Sequence, residues 1–176
     1  MSKIGKKPIT LENGVKATLI DGRCYLESSK GKLDYKIDSG LHCAIEDGKI
    51  TLELKSSDKH AKAMWGTTRA LLANAVQGLH KPWVKILELK GIGYKVSVSG
   101  KTLTLAIGYT PFKHTVADDV DVSCPNQTQI ALSCINRERV GLAAAQIRDY
   151  KKPDSYQGYG IRYLGEIVKT KSAAKK

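Results

Sequence analysis

The sequence predicts an α+β protein of two tandem duplicated domains, each an antiparallel sheet with one long helix packed on a face. Short runs of alternating apolar residues, such as Ile50, Leu52 and Leu54, are separated by turn residues throughout both halves. In each half, the spacing of the apolar residues then changes from the alternation of a strand to the spacing of a helix. Strands followed by one helix, twice over, indicate an internal duplication.

In the first half, Asp21-Gly22 and Asp47-Gly48 are typical of tight hairpin turns. Strands are expected over 15–20, 23–28, 33–37, 41–45 and 49–54. Ser57 or Asp58 can cap the helix that follows, because their side-chain oxygens accept hydrogen bonds from the first helical turn. Gly78 is expected to end this helix.

In the second half, Pro111 and Phe112 indicate a loop, and Asn136 is expected to cap a helix that runs through Arg148. Strands are expected over 84–89, 94–98, 101–107, 120–124 and 129–134.

Two sequence matches support the duplication. Residues 66–72 can be laid over 141–147 at an offset of 75, and the turn at Ser99-Gly100 follows that at Asp21-Gly22 by 78. An unrelated pair of α+β halves would show a similar order of elements, but duplication is the favoured interpretation. The expected organisation is a basic N-terminal arm over 1–10, domains over 11–82 and 83–150, and a C-terminal extension over 151–176.

The charge of the chain indicates a polyanionic partner. The 176 residues include 29 Lys and Arg against 17 Asp and Glu, a net charge of +12. Residues 148–176 alone carry +5, and the arm adds Lys3, Lys6 and Lys7. No apolar run approaches the roughly 20 residues of a membrane helix. A soluble, cytoplasmic protein without a membrane partner is therefore expected.

The sequence offers little support for an enzyme or a metal site. Gly100-Lys101-Thr102 resembles the end of a phosphate-binding loop, but it lacks the first glycine and a following helix. Gly91 and Gly93 lack the third glycine of a dinucleotide fingerprint. The acidic cluster over 118–121 suits a solvated loop better than a metal site, and the cysteines and histidines lack zinc spacing. No cofactor, metal or small-molecule substrate is expected.

A segment rich in tyrosine, glycine and basic residues, 151–163, is the best candidate for a binding site. Its glycines let the backbone approach a partner closely, its tyrosines can stack on bases, and Arg162 can grip a phosphate. The alternative is a glycine-rich loop and a last strand packed on the second domain. Both can hold if Ile161 and Tyr163 point inward while Arg162 points outward.

Residues 152–163 resemble the signature of the L-six family of bacterial large-subunit ribosomal proteins. The likeness covers nearly the whole chain, including the start at 2–8, the helix around Gly66-Thr-Thr-Arg69 and the stretch Leu89-Lys-Gly-Ile-Gly-Tyr-Lys95. The chain departs from the family at Gln157 and Tyr159, where lysines are common, and at Ser155, where a proline is common.

The resemblance implies a structural protein that binds large-subunit ribosomal RNA near the sarcin–ricin loop and the base of the stalk. Its partners would be that RNA, neighbouring large-subunit ribosomal proteins at the stalk base and, transiently, translational GTPases. The protein would lie in the large subunit in the cytoplasm, with no catalytic role. The expected RNA-binding residues are Lys90, Gly91, Gly93, Lys95, Lys151, Lys152, Tyr156, Gly158, Tyr159, Gly160, Arg162, Lys169 and Lys171.

Two other functions stay open on the sequence. One is a non-ribosomal basic protein that binds nucleic acid or another polyanion. The other is a small nucleotide-binding enzyme that uses Gly100-Lys101-Thr102.

Overall fold

A computed structural model describes residues 3–56 and 58–171 of the chain. It contains two compact units. The first comprises the described residues up to 82 together with 135–137, and the second comprises 83–134 and the described residues from 138 onward. In the described parts, neither helix is apolar enough over a sufficient length to cross a membrane.

The first unit contains two three-stranded antiparallel sheets, ordered β1-β6-β5 and β2-β3-β4. Its strands are β1 (Ile9–Thr10), β2 (Lys16–Ile20), β3 (Arg23–Ser28), β4 (Gly31–Lys36), β5 (Leu41–Glu46) and β6 (Lys49–Leu54). The predicted hairpin turns are present at 21–22 and 47–48. All four of these residues have positive φ, from 47° to 71°, as the tight turn between two twisted strands requires.

Helix α1 (Lys59–His80) packs its apolar side on these strands. Trp65 and Leu72 are among the helical residues buried in the core. The Asp58 carboxylate caps the helix by accepting a hydrogen bond from the Lys59 N–H at 2.8 Å, whereas Ser57 lies outside the described residues. The helix continues two residues beyond the expected end at Gly78. It stops because Lys81 precedes a proline and is extended, with φ −131°.

The N-terminal arm packs on α1 of the first unit. A Cβ at Gly5 would lie 2.5 Å from the Trp65 ring, so the arm's backbone rests directly against the indole. The Arg69 Nε donates a hydrogen bond to the Lys7 carbonyl at 3.1 Å. Strand β1 then pairs with β6, which joins the end of the arm to the sheet.

The second unit repeats the topology of the first. Its strands are β7 (Trp83–Lys90), β8 (Lys95–Ser99), β9 (Thr102–Ala106), β10 (Pro111–Thr115), β11 (Asp121–Asn126), β12 (Gln129–Cys134) and β13 (Gly160–Tyr163). The order β11-β12-β7 matches β5-β6-β1, and β10-β9-β8 matches β4-β3-β2. The predicted α+β fold with duplicated domains is therefore confirmed. The second unit adds β13 beside β7.

Two features of the second unit refine the sequence predictions. Pro111 and Phe112 belong to edge strand β10 rather than to a loop, and a proline fits there because it is the first residue of an edge strand. Helix α2 (Arg137–Asp149) begins directly after Asn136, as predicted, and buries Val140 and Ile147.

Candidate nucleic-acid interface

Strands β7 and β13 pair with each other. This pairing brings together the two segments predicted from the sequence to bind RNA, the one that begins at Lys90 and the one over 151–160. The strands are antiparallel, and Gly160 lies opposite Lys90. The turn that follows β7 and the loop that precedes β13 therefore lie at the same end of one sheet. Seventy residues of sequence separate these two positions, so only the strand register reveals that they are neighbours.

The turn after β7 is shaped by two glycines. The Tyr94 N–H donates to the Gly91 carbonyl at 3.4 Å, and the Tyr94 ring lies so close that a Cβ at Gly91 would be 2.6 Å from it. Gly93 has φ +74°. Ile92, at the tip of this turn, is 88% exposed, and Lys90 and Lys95 on either side are exposed too.

Asp154 organises the loop before β13. Its carboxylate accepts hydrogen bonds from the backbone N–H groups of Gln157 (3.0 Å) and Tyr156 (3.1 Å). These bonds, with that from Gln157 the largest cause, hold the pKa of Asp154 below its ordinary value. The Asp154 N–H donates to the Tyr159 carbonyl, and the Gly158 N–H donates to the Asp154 carbonyl, both at 2.9 Å. The loop is thus closed by its own backbone.

A side chain at position 160 would require the neighbouring backbone to move. Gly160 has φ +150°, and a Cβ there would lie 2.7 Å from the Lys152 carbonyl oxygen and 2.8 Å from that of Lys151. The Ile161 N–H donates to the same Lys151 carbonyl at 2.8 Å. The close approach fixes the backbone of the two lysines beside the start of β13.

The segment after β13 returns to this loop. The Lys171 N–H donates to the Ser155 carbonyl at 2.7 Å. Upstream, Glu166 accepts from the Tyr163 N–H at 2.9 Å and forms an ion pair with Arg148 at 2.6 Å. The bond from Tyr163 and the Arg148 guanidinium lower the pKa of Glu166. Lys169 and Lys171 are therefore tied to the same end of the unit as the loop.

Tyr163 and Arg162 both have partners within the protein. The Tyr163 ring lies 5.4 Å from Lys85 Nζ and 5.5 Å from the Arg148 guanidinium, measured to the ring centroid. Arg162 is half-buried, and its Nε and Nη2 donate to Glu88 Oε2 at 2.9 and 2.7 Å. The expected alternation holds for Ile161, which is fully buried, but Arg162 joins β13 to β7 instead of extending freely outward.

Replacing Arg162 by alanine is expected to lower the free energy of unfolding by about 1–2 kcal/mol, because Glu88 would lose its partner in a half-buried site. Arg139→Ala is the matched control. Arg139 pairs with Asp119 at 3.5 Å on the exposed side of α2. Arg139→Ala is therefore expected to lower the free energy of unfolding by less than about 0.5 kcal/mol. Urea unfolding of both variants measures the difference. Equal losses would show that the Arg162–Glu88 pair does not stabilise β13.

Five exposed lysines make this end of the second unit cationic. They are Lys90, Lys95, Lys151, Lys169 and Lys171. Across residues 3–56 and 58–171, none of the five lies within 4 Å of a carboxylate oxygen, whereas Lys152 pairs with Asp149 at 3.1 Å. Tyr156 is 65% exposed and is open to stacking, while Tyr159 is half-buried and Gly158 is buried. We call the five lysines and Tyr156 the lysine face.

One part of this region was not predicted. A concavity of about 280 Å³ lies beside Lys95 and is lined also by Val96, Ser97, Thr104, Ala106 and Gln127. The turn at Gln127 and Thr128 is placed there by hydrogen bonds, both 2.8 Å, from the Val96 and Leu89 N–H groups. In the sequence, the only sign of this concavity was a polar turn between two predicted strands.

The features that suggested an enzyme or a metal site have structural roles. Gly100 and Lys101 form the hairpin turn between β8 and β9, with a strand after it and not a helix. Lys101 Nζ donates to the Val120 carbonyl at 2.8 Å and lies 3.3 Å from Asp121. Among the residues that the structure describes, no group of three or more histidine, cysteine or acidic residues is arranged to hold a metal ion.

Comparisons with known proteins agree with the resemblance noted from the sequence. A family model described as ribosomal protein L6 matches residues 90–164. Proteins named large ribosomal subunit protein uL6 from Methylorubrum extorquens (strain PA1) and Methylorubrum populi are 37% identical over 177 residues, which covers all of both chains. The protein of the same name from Pseudomonas syringae pv. syringae is 36% identical over the same span.

Proposed function

Because the chain belongs to the ribosomal protein L6 family, we propose that it is a structural constituent of the large ribosomal subunit. Its role is to bind large-subunit ribosomal RNA, and it carries out no catalysis. The observation that supports this most directly is the pairing of Gly160 with Lys90, which gathers the lysine face at one end of a sheet.

The lysine face suits the backbone of folded RNA. Lysine ammonium groups neutralise phosphates without regard to base identity, and A-form RNA offers its backbone and shape rather than its deep groove. Hydrogen bonds within the loops hold the backbone of the lysines in place, so little backbone freedom is lost on binding. The exposed Tyr156 ring adds a surface on which an unpaired base can stack.

The location within the subunit follows from the family resemblance. We propose that the lysine face contacts RNA near the sarcin–ricin loop and the base of the stalk. Neighbouring ribosomal proteins at the stalk base and, transiently, translational GTPases would then lie close by. Lys90, Gly91, Gly93, Lys95, 151–160, Lys169 and Lys171 form or shape the contact.

Sedimentation of a tagged full-length chain through a sucrose gradient tests the proposal. The protein is expected to co-migrate with large subunits and to stay with them after small and large subunits are separated at low Mg²⁺. A chain that stays at the top of the gradient, or follows small subunits, would contradict the ribosomal role. In that case binding to DNA or another polyanion would become the better account of its +12 charge.

A further inference from the structure

A second concavity in the second unit lies outside the lysine face. It has a volume of about 600 Å³ and lies between the edge strand β10 and the last turn of α2. Its lining consists of His114, Thr115, Gln146, Asp149 and Tyr150. Gln146 and Asp149 are three residues apart, so they lie on one side of the last turn of α2, and Tyr150 directly follows the helix.

The rings of His114 and Tyr150 line one wall of this concavity, and the Phe112 ring packs on Tyr150 beside it. The Tyr150 ring centroid lies 5.5 Å from that of Phe112 and 5.6 Å from that of His114, at interplanar angles of 44° and 75°. Phe112 and His114 alternate along β10 and therefore lie on one face of the strand. Tyr150 is 37% exposed, so its ring is open to a planar ligand.

His114 contributes an uncharged ring to the wall. Its Nδ1 lies 3.1 Å from the Tyr150 hydroxyl, which fixes the two rings relative to each other. Partial burial lowers the pKa of His114, which favours the uncharged imidazole. A neutral wall suits a nucleobase better than it suits a phosphate.

The polar groups at the rim favour one base. A carboxylate accepts two parallel N–H bonds, and guanine is the RNA base whose pairing edge offers two adjacent donors, N1–H and N2–H. Asp149 supplies such a carboxylate, and the Gln146 amide can donate to a carbonyl oxygen. The pair between Asp149 and Lys152 does not block this, because both side chains are about two-thirds exposed and such pairs are weak.

We propose that this concavity binds an unpaired guanine base of RNA, stacked on Tyr150 and read by Asp149. The proposal rests on the function proposed above and adds a base-specific subsite to it. Lys151 and Lys152 directly follow Tyr150 in the chain. One strand of RNA can therefore place a base in the concavity while its phosphates continue toward the lysine face.

Fluorescence anisotropy with labelled single-stranded pentanucleotides tests the proposal on the full-length protein. The probes are UUGUU and UUAUU. The protein is expected to bind the guanine probe about tenfold more tightly. Asp149→Asn is expected to abolish this preference, because an amide offers only one acceptor oxygen. Equal binding of the two probes, or a preference that survives in Asp149→Asn, would overturn the proposal.

Two further variants keep the test specific. Asp119→Asn removes the same charge at an exposed ion pair outside the concavity, and it is expected to retain the preference. Tyr150→Leu removes the aromatic ring and keeps an apolar side chain, so the guanine probe is expected to bind about tenfold less tightly if the base stacks on this residue. Unchanged binding of the guanine probe by Tyr150→Leu would contradict the stacking role.

The gradient experiment separates this proposal from the function on which it rests. Co-migration with large subunits together with equal probe binding would reject the guanine subsite alone. Failure of the chain to join large subunits would reject the ribosomal role, whatever the probes show.

Discussion

Replacing Lys90, Lys95 and Lys151 together by alanine is expected to lower the affinity for large-subunit RNA by about 100-fold at 0.15 M salt. The three side chains are exposed and have no carboxylate within 4 Å in the described part of the chain, so their charges are available to phosphates. Each lost phosphate contact removes about one unit from the slope of log affinity against log salt. The slope is therefore expected to fall by about three.

Filter binding over about 50–200 mM salt measures this effect. The matched control replaces Lys16, Lys36 and Lys49, three exposed lysines on strands of the first unit, and removes the same total charge. We expect the control to change the slope by less than about one unit. Equal losses in both triple variants would show that total charge, and not the lysine face, determines binding.

Gly160→Ala is expected to lower the free energy of unfolding by about 2–4 kcal/mol and to weaken RNA binding at least about tenfold. The added methyl group would meet two backbone carbonyl groups, which cannot rotate away as the end of a side chain can. Relief of the clash requires the loop over 151–159 to shift, and Lys151 is then expected to change its position relative to Lys90.

Gly100→Ala separates the clash from the cost of a positive φ. Gly100 has φ +61° in the turn between β8 and β9, with no atom within 4 Å of an added Cβ. Gly100→Ala is expected to lower the free energy of unfolding by about 1 kcal/mol and to leave RNA affinity unchanged. Thermal or urea unfolding together with filter binding gives both quantities. If Gly160→Ala behaved like Gly100→Ala, the loop would not depend on close backbone contact.

Most elements of the fold could be predicted because their signals are local. Alternating apolar residues and the Asp-Gly turns indicated ten of the strands, and helical spacing indicated both helices. Strand β1 was missed because two residues are too few to show a period. Strand β10 was missed because Pro111 is usually a sign of a loop, and only its edge position permits it.

The candidate site was predicted less completely because it depends on contacts between distant residues. The lysines could be predicted from the charge of the sequence, and the glycines that shape the loops could be predicted from the segment rich in tyrosine and glycine. The partners of Arg162 and Lys152 could not be predicted, since Glu88 reaches Arg162 only through the register of β13 with β7. The aromatic concavity likewise joins His114 and Tyr150, which are 36 residues apart in sequence.

Lysine acetylation of the protein, free and within assembled large subunits, tests most directly whether the lysine face binds RNA. Mass spectrometry reports the reactivity of each lysine in both states. Lys90, Lys95 and Lys151 are expected to lose at least about tenfold in reactivity on assembly, because contact with phosphate shields the amine. The exposed Lys16, Lys36 and Lys49 are expected to stay reactive. Full reactivity of the first three in assembled subunits, with protection of the second three, would contradict the lysine face as the RNA-binding surface.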